Sequence, residues 1–315
     1  MALTNKELPL VSVVMISYNQ EKFIRSSIES VLLQEYPNIE IVISDDASTD
    51  GTVKIIKEYA EKYPDKFNVI TSKKNVGPNE NWFKAVIESR GKYAIGLAGD
   101  DEFLPDIISE YINIMEEDSN IAICYSDAIV FDKNKQKVLY QLSYKTPTSS
   151  GGIDFALSDA IYYSPTLMFR RKLVPEENIF LGIRSGSDIA FYKEIMILST
   201  PNGKIHYINK PLYKYQKHDK NITTTQSSYR REHIECIRIL QNKYPEYKEL
   251  LVPSIYDFCC VAFFKSIFNM RINDAFYFLS TGLKASSYNI FKFFRATKWV
   301  MSFYKKLNLK KLYKI

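Results

Sequence analysis

Cysteine and glycine are scarce in this chain. Its 315 residues hold four cysteines, Cys124, Cys236, Cys259 and Cys260, and no two form a C-x-x-C pair. No histidine cluster accompanies them, so neither a zinc site nor a disulfide framework is expected. Reduced, buried thiols of a cytosolic protein fit better. Only 11 glycines stand against 23 tyrosines and 19 phenylalanines, an aromatic-rich balance. The first ten residues lack a basic segment followed by a long apolar one, so no secretory signal is expected. No stretch reaches 18 uncharged apolar residues, so no spanning helix is expected. Acidic residues are missing from Ala275 to Ile315, a stretch with nine lysines or arginines. The net charge of +6 therefore belongs to the tail, and the rest of the chain is slightly acidic.

What is present reads as alternation. Val11-Ser12-Val13-Val14-Met15-Ile16-Ser17 is a β-branched run that suits a strand buried on both faces. Phe23, Ile24, Ile28, Val31 and Leu32 follow at helical spacing. Ile39 to Ser44 is a second strand and Phe67 to Ile70 a third, with a helix between them. After a further helix carrying Trp82, Phe83, Val86 and Ile87, Tyr93 to Leu97 is a fourth strand. Such alternation predicts a parallel α/β sheet. Ile121 to Asp127 and Ala128 to Asp132 are strand-like, Lys133 to Gly152 reads as a mobile loop, and late strands are expected at 204–208 and 212–215. From Tyr229 the pattern is helical. No internal repeat occurs.

The strand ends carry polar clusters: Ser17-Tyr18-Asn19, Asp45-Asp46 and Gly99-Asp100-Asp101. In an open parallel sheet these ends converge on one crevice, the expected ligand site. Paired carboxylates there suit a divalent cation and a phosphorylated ligand. Taken singly, each is an ordinary turn or cap. Three at successive ends are harder to dismiss.

Taken in order, these segments resemble the family 2 inverting glycosyltransferases of GT-A fold. The matching residues are Val11 to Asn19, Ser30 to Gln34, Glu40 to Thr52, Asn75-Val76-Gly77, Gly91-Lys92-Tyr93, Gly99-Asp100-Asp101 and Pro105-Asp106. The resemblance covers about residues 10 to 220. It implies a nucleoside-diphosphate-sugar site in which Ser17, Tyr18 and Asn19 line the nucleotide pocket and Asp45 or Asp46 bonds the base. It also implies a bound Mn2+ or Mg2+, with Asp100 as metal ligand and contact to the donor, and Asp101 in support. Ala98 stands where the Asp-x-Asp motif has its first acid. Asp188 matches the catalytic base, with Ser187 replacing a Glu; by itself Ser187-Asp188 before an apolar helix is an N-cap pattern. His218, in Tyr215-Gln216-Lys217-His218, matches a residue that reaches the metal or diphosphate, with Gln216 replacing an Arg.

The expected architecture is therefore α/β: a GT-A catalytic domain over 1–225, Rossmann-like with a mainly parallel sheet flanked by helices, and a basic, aromatic-rich helical extension over 226–315. The expected activity is metal-dependent transfer of a hexose from a UDP-sugar to a glycan hydroxyl. The acceptor would be a lipid-linked intermediate of bacterial surface polysaccharide: O-antigen, capsule or exopolysaccharide. Ala98, Ser187 and Gln216 keep open a nucleotide-sugar-binding module without catalysis. A processive synthase is disfavoured by the missing spanning helices and Gln-x-x-Arg-Trp motif. In the tail, Phe291, Phe294, Lys298 and Met301 recur at helical intervals beside Lys292 and Arg295. This pattern predicts contact with an anionic membrane surface. The expected location is cytoplasmic, peripheral on the inner face of the plasma membrane. No nucleic-acid recognition motif is present.

Overall fold

A computed structural model describes residues 8–132, 134–142, 151–158, 166–184, 186–219, 221, 229–268, 270–285 and 287. The chain divides into two compact units, one of residues 1–156 and 162–232, the other of 157–161 and 233–315.

The first unit opens with strand β1 (Val11–Ser17), helix α1 (Ile24–Leu32), β2 (Ile39–Asp45), α2 (Thr52–Lys62), β3 (Phe67–Thr71), α3 (Pro78–Ile87) and β4 (Tyr93–Ala98). The sheet order runs β3-β2-β1-β4, all parallel. β1 lies at the centre because its residues are apolar on both faces. Val11, Val13 and Met15 pack with Ile24 and Ile28 of α1 and Ile56 of α2, while Val14 is equally buried. Registers Ser17↔Asp45 and Ile16↔Ala98 bring the carboxyl ends of β2 and β4 level with that of β1. The chain reverses direction across the sheet between β1 and β4, and such a switch point opens a crevice.

Beyond β4 the sheet is mixed. It continues with β5 (Glu102–Phe103), β6 (Ile121–Asp132), β7 (Lys137–Leu142), β8 (Met168–Arg170) and β9 (Lys204–Lys217) in the order β4-β8-β6-β9-β5, with β7 on β6. Among the described residues only β6 and β9 pair in parallel there, beside the parallel first four strands. The described residues of this part also form the α-helices α4 (Ile107–Glu117), α5 (Ile153–Ser158), which spans the boundary between the units, and α6 (Asp188–Leu198).

Several sequence expectations change here. The two strand candidates over 121–132 are one strand of 12 residues. Those near 204–215 are one strand of 14 residues, whose register with β6 shifts near Pro211. A proline cannot donate to the ladder, so the strand accommodates it by an irregularity. The stretch expected as a mobile loop contains β7, and the rest of it lies largely outside the described residues.

The second unit contains most of α7 (Tyr229–Lys243), then α8 (Lys248–Phe268) and α9 (Ile272–Ala285). All four cysteines are free and buried. Among the described residues one helical stretch, Pro245–Ile267, is long and apolar enough to cross a membrane by length and composition, with mean hydropathy 1.6, and it is 41% buried. A count of uninterrupted apolar residues misses it because Asp257 and Lys265 interrupt the run. The tail pattern at 291–301 lies outside the described residues.

A buried charge locks the base of β1 and β2. Glu40 is 3% exposed and accepts bonds from the Ser12 hydroxyl, the Arg90 amide and Arg90 Nε at 2.9 Å. Burial pushes this carboxyl up, but the Ser12 and Arg90 bonds outweigh burial and hold it below its ordinary value. A carboxyl lowered in the folded state stabilises above its unfolded pKa, and that stability is lost as pH falls through the folded one. Glu40→Gln is therefore expected to cost about 1–3 kcal/mol at neutral pH. In urea unfolding across a pH series, the gap to wild type should close as acid protonates Glu40.

Candidate active site

At the carboxyl end of β1, Ser17 is buried and its hydroxyl donates to Asp45 Oδ2 at 2.8 Å. Asp45 also accepts the Ser48 amide at 2.8 Å and the Ser48 hydroxyl at 2.6 Å. Ser17 and Asp45 thus form a buried tie between strands and the following turn; Ser17 does not line an open pocket. Asp46 accepts the amides of Val76 at 2.8 Å and Gly77 at 2.9 Å, which anchors the turn before α3. Tyr18 is 47% exposed at the same end. Asn19 adopts a left-handed conformation, φ 53°, and Ala47 does likewise at 61°. Such backbone is uncommon outside glycine and concentrates at functional sites. Asn19 accepts the Thr49 amide at 2.8 Å and donates its own amide to the Ser48 hydroxyl at 2.8 Å. Asp50, read as a turn residue, accepts the Thr52 amide at the start of α2.

The Asp100–His218 pair is made by β5 and β9. Their antiparallel register, Glu102↔Lys214 and Phe103↔Tyr213, runs β9 back past Asp101 and brings the residue after its end to Asp100. His218 Nε2 lies 2.9 Å from Asp100 Oδ2. Asn221 accepts the His218 amide at 2.7 Å and places its Nδ2 3.5 Å from the same Asp100 oxygen. Phe23, just before α1, stacks on the imidazole at 4.5 Å between ring centroids.

Asp101 points the other way. It is 1% exposed, and its oxygens accept the Tyr213 hydroxyl at 2.9 Å and the Gln216 amide at 2.8 Å. Burial, reinforced by the charge of Asp100, pushes its carboxyl well above the usual range. Asp101, expected as a supporting ligand, thus has each oxygen bonded to β9, away from the Asp100–His218 contact. Gln216 is buried too. Its amide nitrogen donates to Glu102, whose other oxygen pairs with Lys214, so it braces β9 and brings no charge to the crevice.

Asp188 opens α6, half-buried, with Ser187 at the N-cap position but no side-chain cap bond. One turn on, Tyr192 is buried, and its hydroxyl is pushed up by burial and then by Asp188. Phe191 packs edge-on against Trp82 of α3 and Phe169 of β8. The segment before α6 is tied to α3: Asn79 Nδ2 donates to Phe180 O and Ile183 O, and Arg184 donates to Asn75 Oδ1 at 2.7 Å.

Sequence reasoning missed the residues that hold the Asp100 loop. Ser27 of α1 is fully buried, and its hydroxyl lies 2.9 Å from Gly99 O and 2.6 Å from Asp101 O. Ser30 accepts the Phe103 amide at 3.0 Å, and Gln34 donates to Leu104 O at 3.1 Å. Buried serines at helical spacing among Ile24, Ile28 and Val31 were the available signal. Gly99 lets this loop lie close to β1: a Cβ there would stand 2.2 Å from Gln20 Oε1 and 3.1 Å from Ile16 O.

Asp100 and His218 offer one oxygen and one nitrogen donor, and among the described residues no group of three His, Cys, Asp or Glu converges. Two protein donors fit Mn2+ or Mg2+, ions that complete their shells with water and substrate phosphate.

Parallel strands with polar carboxyl ends at a switch point, extended by a mixed sheet, define the GT-A class of fold. The chain belongs to glycosyl transferase family 2, whose family model matches residues 12–176. It is 37% identical over 111 residues to the putative teichuronic acid biosynthesis glycosyltransferase TuaG of Bacillus subtilis, covering 35% of this chain and 44% of that one. It spans about half the length of the first relatives it matches, 44% to 47%. Among solved structures, S. aureus TarS 1-349 in complex with UDP-GlcNAc superposes with TM-score 0.57 at 18% identity, covering 79% of this chain and 80% of that one. The mannosyltransferase PcManGT of Pyrobaculum calidifontis, in complex with GDP-Man and Mn2+, gives 0.57 at 16% identity and covers 98% and 84%. At such identities these two likenesses establish fold alone.

Ser27→Ala would remove the one hydroxyl donor that Gly99 O and Asp101 O share. Urea unfolding should show a loss of about 1–3 kcal/mol. An unchanged midpoint would mean the loop is held by its other bonds.

Proposed function

We propose that the chain is an inverting glycosyltransferase that moves a hexose from a UDP-sugar to a hydroxyl of a glycan acceptor. The observation that carries this reading is the contact of Asp100 with His218 at the switch-point crevice, beside exposed Tyr18. The likeness to TarS, crystallised with UDP-GlcNAc, supports a uridine donor. The nucleotide lies along Tyr18 and Asn19. Asp46, whose oxygens accept two backbone bonds, keeps more lone pairs for the base than Asp45, which accepts three. Asp100 and His218 would hold Mn2+ or Mg2+, and the likeness to PcManGT with Mn2+ supports that choice. The cation, when bound, neutralises charge that grows on the departing diphosphate. Asp188 takes the proton of the acceptor hydroxyl. The hydroxyl oxygen then attacks the anomeric carbon from the side opposite the leaving UDP, so configuration inverts.

The name of the TuaG relative supports an acceptor in bacterial surface polysaccharide. With a lipid-linked acceptor, the protein would work in the cytoplasm at the inner face of the plasma membrane. The described part of the second unit supports membrane contact at a different place from the tail aromatics. Ile267, Met270, Ile272 and Phe276 are large apolar side chains exposed around the α8–α9 turn, at 49%, 87%, 64% and 67%. Arg271 is exposed among them, while α9 turns Ala275, Phe278, Thr281 and Gly282 inward. Each cation near an anionic surface adds about 1 kcal/mol.

Asp188→Asn is expected to lower hexose transfer from UDP-sugars by at least about 100-fold while UDP binding by calorimetry stays at wild-type strength. A wild-type rate would remove Asp188 from its role. Donor binding without transfer by the wild type, across UDP-hexoses and polysaccharide acceptors, would support a binding module instead. For the membrane contact, Ile272→Asp with Phe276→Asp should reduce co-sedimentation with phosphatidylglycerol vesicles. Equal pelleting of variant and wild type would overturn this patch as the contact.

A further inference from the structure

We infer that Phe23 is a positioning residue that holds the His218 imidazole in place beside Asp100, and that helix α1 thereby sets both halves of the metal pair. The inference rests on the metal reading of Asp100 and His218.

His218 stands one residue past the end of β9, whose last ladder partner is Asp132↔Lys217. Asn221 holds its backbone on both sides, and Asp100 Oδ2 meets Nε2 of its ring at 2.9 Å. The Phe23 ring lies against the imidazole face, 4.5 Å between centroids with planes 21° apart, and so limits the orientations the imidazole can take.

Phe23 is itself well anchored. Its amide bonds to Gln20 O at 2.9 Å, and its carbonyl accepts the Ser27 amide at 3.2 Å and the Ser26 hydroxyl at 2.8 Å. Ser27, one turn along, meets the carbonyls of Gly99 and Asp101, the residues on either side of Asp100. The first turn of α1 therefore touches the backbone around one donor and the ring face of the other. α1 also follows directly on the Tyr18-Asn19 loop, and Gln20 N bonds to Thr52 Oγ1 at 2.8 Å. One rigid turn thus ties the loop assigned to the nucleotide to both donors assigned to the metal. Residues that orient a metal ligand typically change affinity by about 10–100-fold when removed.

The test compares the full chain with Phe23→Leu, which keeps bulk without an aromatic face, Phe23→Tyr, which restores the face, and His218→Ala. Mn2+ binding is titrated by electron paramagnetic resonance in the presence of UDP, and UDP binding is measured separately without metal. Phe23→Leu should weaken Mn2+ by about 10-fold or more, with metal-free UDP binding unchanged and Phe23→Tyr near wild type. A second readout needs no metal. The chain has three histidines, so the ring C–H resonances of His218 are assigned by their absence in His218→Ala. Stacking on Phe23 shifts them upfield, and Phe23→Leu should return them toward free imidazole. Wild-type Mn2+ affinity in Phe23→Leu beside a weakened His218→Ala would overturn the proposal alone. Wild-type affinity in His218→Ala would overturn the metal reading and the proposal together.

Discussion

The pairing of β1 with β2 on one side and β4 on the other is the constraint from which the rest follows. β1 is almost wholly apolar, so it takes the centre of the sheet, where both faces are covered. Its register then decides where every site residue on the first four strands can stand. Ser17 sits level with Asp45, and Ile16 with Ala98. A slip of one residue would turn Ser17 away from Asp45 and move the buried Ser12–Glu40 link to the opposite face.

Most of the polar residues at this end serve the scaffold first. Ser17 bonds Asp45, while Asp45 and Asn19 hold the turn at 48–49 and Asp46 holds that at 76–77. Buried carboxylates need such donors, and here several donors are backbone amides of loops that must keep a fixed shape. The result is a preorganised rim with Tyr18 left exposed upon it. Asp100 and Asp101 divide the same labour. One faces His218, and the other is sunk between Tyr213 and Gln216 to hold β9 in place.

Helix α1 gives this arrangement its rigidity. Its apolar residues bury it against the sheet, while Ser27, Ser30 and Gln34 bond the backbone of the 99–104 segment. The Asp100 loop has few ladder bonds of its own and borrows order from the helix beneath it. The departures from the family pattern at Ala98 and Gln216 sit inside this frame without disturbing it. Ala98 completes β4, and Gln216 bonds Glu102.

Local pattern by itself determined the first four strands, their parallel arrangement and the polar character of their ends. Periodicity of two and of 3.6 is a local property, and the β1–β4 run states it plainly. Asp100 and His218 were legible through motif resemblance. Their contact was decided only by the pairing of β5 with β9, a two-residue strand against a fourteen-residue one that no periodicity announces. The inward turn of Asp101 was illegible for the same reason, since adjacent identical residues carry no sign of which faces solvent. Ser27 and Phe23 looked like an ordinary helix start. Their meaning lies in partners more than 70 residues away, and long-range packing decided it, because a hydroxyl or a ring gains its role from whatever the folded chain sets against it.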